Sequence, residues 1–85
     1  MLKPTLASIV ALDGRSEDEL LALATGAASG HTVLVGDAQQ FADIGLSIEA
    51  LGDWPGRLQQ RGQRVVFVAV DGRIAGLLGI IDAGV

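Results

Sequence analysis

Two apolar runs on either side of an Asp-Gly pair constrain this chain more than anything else in it. Residues 65–70 read VVFVAV, residues 73–81 read RIAGLLGII, and only Asp71 and Gly72 separate them. Asp and Gly tolerate the positive φ angles of a tight turn whose twist matches paired strands, so the segment is predicted to be a β-hairpin. A two-residue turn puts Phe67 opposite Gly76, where the missing side chain leaves room for the ring to lie across the neighbouring strand. Both strands are apolar on both faces. That places the hairpin at the centre of a sheet, with helices on one side and another layer, or a partner, on the other.

The rest of the chain supplies elements to pack against it. Residues 6–12 form a short β-branched and apolar run that ends at Asp13-Gly14, as a strand leaving a sheet does. Ser16 opens a helix over residues 17–28, with Glu19 completing a capping box and Glu17 and Asp18 adding negative charge at the positive end of the helix dipole. Ser29-Gly30 is expected to end it. Residues 32–35 read as a buried strand, and Gly36-Asp37 as the turn into a second helix over residues 38–43, capped by Asp37 and stopped by Gly45. A third helical stretch begins near Ser47, is disturbed by Gly52 and Pro55, and restarts at Asp53 to run through Arg61, because proline fits a first turn but not a helix interior. Gly62 closes it. The fold class is therefore α+β, a small and mainly antiparallel sheet with two or three helices packed on it.

Composition limits what such a fold can do. With 85 residues the chain makes one domain, residues 1–85, and buries only about two thirds of its unfolded surface. Apolar residues are 49% of the chain, enough for a core, but only Phe41, Trp54 and Phe67 are aromatic, so Val, Leu, Ile and Ala must fill it. No apolar run approaches the roughly 20 residues of a membrane-spanning helix, and the first twelve residues lack the pattern of a secretory signal. The absence of cysteine removes disulfides and thiolate metal sites, making a cytoplasmic setting the expectation. A net charge of −4 repels a phosphate backbone and argues against nucleic acid as a partner, although Arg57, Arg61 and Arg64 form a local basic strip.

The hairpin resembles the end of the nucleotide-binding domain of heavy-metal-transporting P-type ATPases, whose VxVAVDGxxxGxxxxxD pattern is matched by Val66, Val68, Ala69, Val70, Asp71, Gly72, Gly76 and Asp82. Thr32-Val-Leu-Val-Gly-Asp37 is similar to the family's xxVLVGN strand and loop, and residues 9–23 resemble its opening strand and SEDELL helix. Between Ala24 and His31 the family normally carries a long segment with a Ser-Glu-His-Pro motif and a Gly-x-Gly loop, and neither is present. The resemblance thus implies a shortened nucleotide-binding domain that lacks the piece recognising adenine. Autophosphorylation is not expected, because no Asp lies in an Asp-Lys-Thr-Gly-Thr sequence.

The resemblance carries only one binding motif onto this chain, Gly36 and Asp37. In the family a Gly-Asn pair lines the pocket beside the phosphates; here an ionised Asp replaces Asn, has no donor and adds negative charge, so ATP binding is expected to be weak or lost unless Mg²⁺ bridges the two. An architectural role, with Gly36 in a tight turn and Asp37 as a helix cap, is the favoured alternative. His31, the sole histidine, has no Glu before it and no Pro after it and reads as a surface residue at a strand start. It also makes a poor metal site alone. Glu17, Asp18 and Glu19 are explained by their place at a helix start, and Asp71 by its turn. No P-loop and no nucleophile elbow is present. No catalytic residue and no metal ligand is assigned.

Two functions follow. The first is a fragment or reduced form of the ATP-binding domain of a metal pump, inactive alone, with the remainder of the pump as its partner. The second is a stand-alone protein-interaction or scaffold domain that kept strand, helix and hairpin and self-associates through a sheet surface left uncovered.

Overall fold

The computed structural model describes residues 3–26 and 30–83. Its centre is a four-stranded antiparallel sheet of order β1-β4-β3-β2, formed by Lys3–Ala11 (β1), Val33–Gly36 (β2), Arg64–Val70 (β3) and Arg73–Ala83 (β4). The predicted hairpin is β3 and β4, and it occupies the middle of the sheet. Asp71 and Gly72 have φ of 52° and 84°, the left-handed pair that a two-residue hairpin turn with the right twist requires.

The register differs from the expected one. Val70 pairs with Arg73 and Ala69 with Ile74, but Val68 then pairs with Gly76 and Phe67 with Leu77, leaving Ala75 as an extra residue in a β-bulge. Gly76 therefore makes room for something other than Phe67. A Cβ there would run into the Val10 carbonyl oxygen and come within 2.7 Å of Leu20 Cδ2, so the glycine admits the adjacent strand and the helix above it. Ala75 belongs to one face of the core and Ile74 and Leu77 to the other, as the bulge dictates.

Helices cover both faces of the sheet. On one face Glu17–Ala24 (α1) places Leu20 and Leu23 against Val68, Val70, Ala75 and Leu78. On the other, Phe41 from Ala38–Asp43 (α2), Leu51 from the 3₁₀ turn Glu49–Leu51 and Leu58 from Trp54–Gln60 (α3) pack on Val65, Phe67, Ala69 and Leu77. Of the two coverings expected for the second face, another layer or a partner, the chain itself supplies the layer. Phe41 and Phe67 meet with ring centroids 5.7 Å apart at a tilt of 42°. This arrangement suits the ring quadrupoles better than a stacked sandwich.

Expectations about three elements are corrected. α1 stops at Ala24, with Thr25 as its C-cap returning both its N–H and its hydroxyl to carbonyls of the last turn, and Gly26 following at φ 80°. Ser29, expected to end the helix, lies outside the described residues, as do Ala27 and Ala28. The strand expected to be buried, β2, is an edge strand, with Leu34 and Val35 each 41% exposed. β1, expected over residues 6–12, begins three residues earlier, at Lys3, and ends at Ala11; the remaining elements stand within a residue or two of their predicted places, including the break between the 3₁₀ turn and α3.

Candidate functional site

Gly36 and Asp37 sit where β2 passes into α2. Asp37 is the N-cap, and it forms a complete capping box: its Oδ1 accepts the Gln40 N–H at 2.9 Å while its own N–H donates to Gln40 Oε1 at 2.9 Å. The reciprocal bonds satisfy two of the free donors at the helix start. Gly36 pairs with Phe67 on β3, and any Cβ placed on it would collide with Gln40 Oε1. Glycine is thus needed here to let the capping glutamine fold back.

That geometry fits a nucleotide phosphate poorly. The Asp37 N–H, which an anion would use, is already given to Gln40. The space above Gly36 holds the Gln40 amide, and the cap itself contributes a carboxylate whose charge opposes phosphate. What the pair offers an incoming group is one uncommitted carboxylate oxygen, Oδ2 of Asp37. Chemically that is a weak cation contact.

The other end of β2 holds a polar cluster that neither composition nor motif indicated. His31 Nδ1 lies 2.9 Å from Asp71 Oδ2, the Thr32 N–H donates to Asp71 Oδ1 at 3.0 Å, and the Asp71 N–H donates to the Thr32 carbonyl at 2.8 Å. Asp71, expected to be only a turn residue, therefore also ties the hairpin turn to the start of β2. The His31 hydrogen bond, followed by that from the Thr32 backbone, holds the Asp71 carboxyl below the usual aspartate range, with smaller help from the charges of His31 and Arg15. His31 is exposed, as expected, and its partner is 40 residues away in sequence, beyond the reach of any local pattern. The two groups lie at opposite ends of β2 and are not brought together.

The acidic run at residues 17–19 is used at the start of α1. Ser16 Oγ accepts the Glu19 N–H at 3.1 Å, but the return half of the expected capping box is missing because Glu19 reaches back to Arg15, 2.9 Å away. Among the described residues no three His, Asp or Glu side chains converge in a way that could hold a metal ion. No described serine lies in hydrogen-bond contact with His31; Ser47 Oγ instead accepts the Glu49 N–H at 3.2 Å. Arg57 of the basic strip stacks over Trp54, 5.4 Å from the ring centroid. No helix among the described residues is long and apolar enough to cross a membrane.

Fold and site together define a small α+β domain: an antiparallel sheet between helices, with a helix cap at Gly36-Asp37 and a turn-to-strand tie at Asp71. No protein-family model matches the chain. A copper-transporting P-type ATPase of Rhizobium leguminosarum bv. viciae is 37% identical to it over 57 residues, which is 67% of this chain and 7% of that protein. The similarity supports the P-type ATPase family at that level and leaves the domain of the pump open. The chain spans about 7% of the length of this relative.

Proposed function

We propose that this chain is a reduced form of the cytoplasmic ATP-binding domain of a heavy-metal P-type ATPase, with weakened nucleotide binding and no catalysis of its own. The observation that carries the reading is the 37% identity to a copper-transporting P-type ATPase across two thirds of the chain. Transport and hydrolysis belong to the whole pump. The proposed contact for Mg²⁺-ATP is Gly36 and Asp37, and the weakness follows from the capping box that engages the Asp37 N–H and places a carboxylate beside the phosphates.

Titration with Mg²⁺-ATP, followed through backbone amide shifts, tests this. Saturable shifts at Gly36, Asp37 and Gln40 are expected, with a millimolar or weaker Kd, about 4 kcal/mol of binding free energy or less. Asp37→Asn keeps a capping side chain and removes the charge, and should bind more tightly. A folded protein whose Gly36 amide does not move in either form would remove nucleotide from the proposal.

A second reading, a stand-alone interaction domain, is favoured by a different observation. β2 ends the sheet with Leu34 and Val35 exposed, and Ile44 of the following turn is 58% exposed beside them.

A further inference from the structure

The two edges of the sheet are built differently. On β1, Pro4 supplies no N–H and a bulge at Ala7 interrupts the register with β4. Both are devices by which a sheet avoids pairing with a neighbour. β2 has neither: it contains no proline and no charge, and its register with β3 is unbroken over all four residues. Because Asp71 donates to the Thr32 carbonyl, antiparallel alternation turns the backbone groups of Leu34 and Gly36 toward β3 and those of Val33 and Val35 away from it. Among the described residues no strand receives them. Beside this edge Leu34, Val35, Phe41 and Ile44 line a cavity of about 320 Å³ between β2 and α2.

We propose that the β2 edge pairs with the β2 edge of a second copy of this chain, antiparallel about a two-fold axis at Leu34, so that two four-stranded sheets become one. This register matches Val33 with Val35 of the second copy and Val35 with Val33. These are the residues with outward backbone groups, and each pair exchanges two hydrogen bonds. The contact is self-complementary, as a two-fold interface must be. Leu34 meets its own copy at the axis. At both ends His31 faces Asp37 of the other copy: as an imidazolium His31 donates Nδ1–H to Asp71 and has Nε2–H to offer, while Asp37 uses Oδ1 on Gln40 and has Oδ2 to accept. Shifting the axis to Val33 or Val35 sets His31 against Val35, or Asp37 against Val33, and forfeits both polar contacts. The pairing needs no nucleotide and is tested without one, so its failure is distinct from failure of ATP binding, although both proposals draw on Asp37 Oδ2.

Sedimentation velocity on the whole chain from micromolar to near-millimolar concentration, with amide hydrogen exchange at Val33 and Val35, tests it. The wild type should pass from monomer to dimer, with the Val33 and Val35 amides protected only in the dimer. Val35→Pro, which removes an outward N–H at an edge position that tolerates proline, and Leu34→Lys, which puts a charge on the axis, should stay monomeric where the wild type is dimeric. His31→Gln should weaken the dimer by roughly 2- to 30-fold through its two symmetric contacts. Should Val35→Pro fail to fold, Leu34→Lys and the exchange data still decide. A wild type that is monomeric throughout overturns the proposal and gives the edge to a different occupant. A dimer that survives Leu34→Lys with Val33 and Val35 exchanging freely overturns it as well, by placing the interface elsewhere.

Discussion

The two faces of the sheet are closed by different means. On one, a single eight-residue helix lays two leucines across the hairpin; on the other, three short helical pieces each contribute one fully buried side chain, Phe41, Leu51 and Leu58. A helix as short as α2 or α3 is unstable alone and depends on the apolar anchor it buries. The face with three pieces is therefore held by side-chain burial, whereas the α1 face depends on close approach: Gly76 brings β4 and β1 together directly beneath Leu20.

The largest expected effect lies on the three-piece face. Phe41→Ala removes an aromatic anchor and its contact with Phe67, and should cost about 3–5 kcal/mol, much of the total stability of a domain this small. Chemical denaturation measures it. Hydrogen exchange sharpens the contrast, since the amides of α2 should lose protection before those of α1. Equal loss on both faces would mean that the two are one cooperative unit.

Close approach makes Gly76→Ala the sensitive change on the α1 face. One added methyl meets the Val10 backbone, which cannot rotate away, and an expected loss of about 1–3 kcal/mol should appear as a lower denaturation midpoint. A variant as stable as the wild type would show that β1 moves freely on the sheet. The expected register, with Phe67 opposite Gly76, would have predicted a collision with the ring instead.

Helix caps give a smaller contrast. Asp37→Ala removes a complete capping box and should cost about 1–2 kcal/mol, against about 0.5–1 for Ser16→Ala, where only half of the box is formed. Reversed magnitudes would mean that Gln40 contributes little to the start of α2. The smallest effect is a pH dependence at the turn linking β3 to β4. Asp71 has a folded pKa below its unfolded value, so its contribution is present above the unfolded pKa and is lost as pH falls through the folded one. Thermal midpoints of the wild type and Asp71→Asn should differ near neutral pH and converge in strong acid, and a constant difference would show that the charge is not involved.

Much of this fold was legible because its signals are local. Asp71-Gly72 needs only its own φ angles to announce a hairpin, Ser16 and Asp37 need only the next three residues to act as caps, and Pro55 sits in the first turn of α3 as its ring requires. Gly36 and Asp37 were recognisable in the same way. Their pattern marked a strand passing into a helix, and the structure adds that Gln40 fills the space which a family resemblance reserves for a ligand.

Long-range contacts were not legible. The bulge at Ala75 moves the hairpin register by one residue, and its reason lies in β1 and α1, more than fifty residues earlier in the chain. Apolar character on both sides of β3 and β4 required two covering layers without saying which segments would supply them. Only packing assigned α1 to one face and α2, the 3₁₀ turn and α3 to the other. The same holds for β2, whose apolar run suggested burial until the sheet order placed it at an edge, and for His31, whose partner Asp71 is brought near by that order. Sequence by itself determined the turns and caps, because their energies are set within a few residues; tertiary structure decided register, layering and edges, because those depend on which distant surfaces exclude water together.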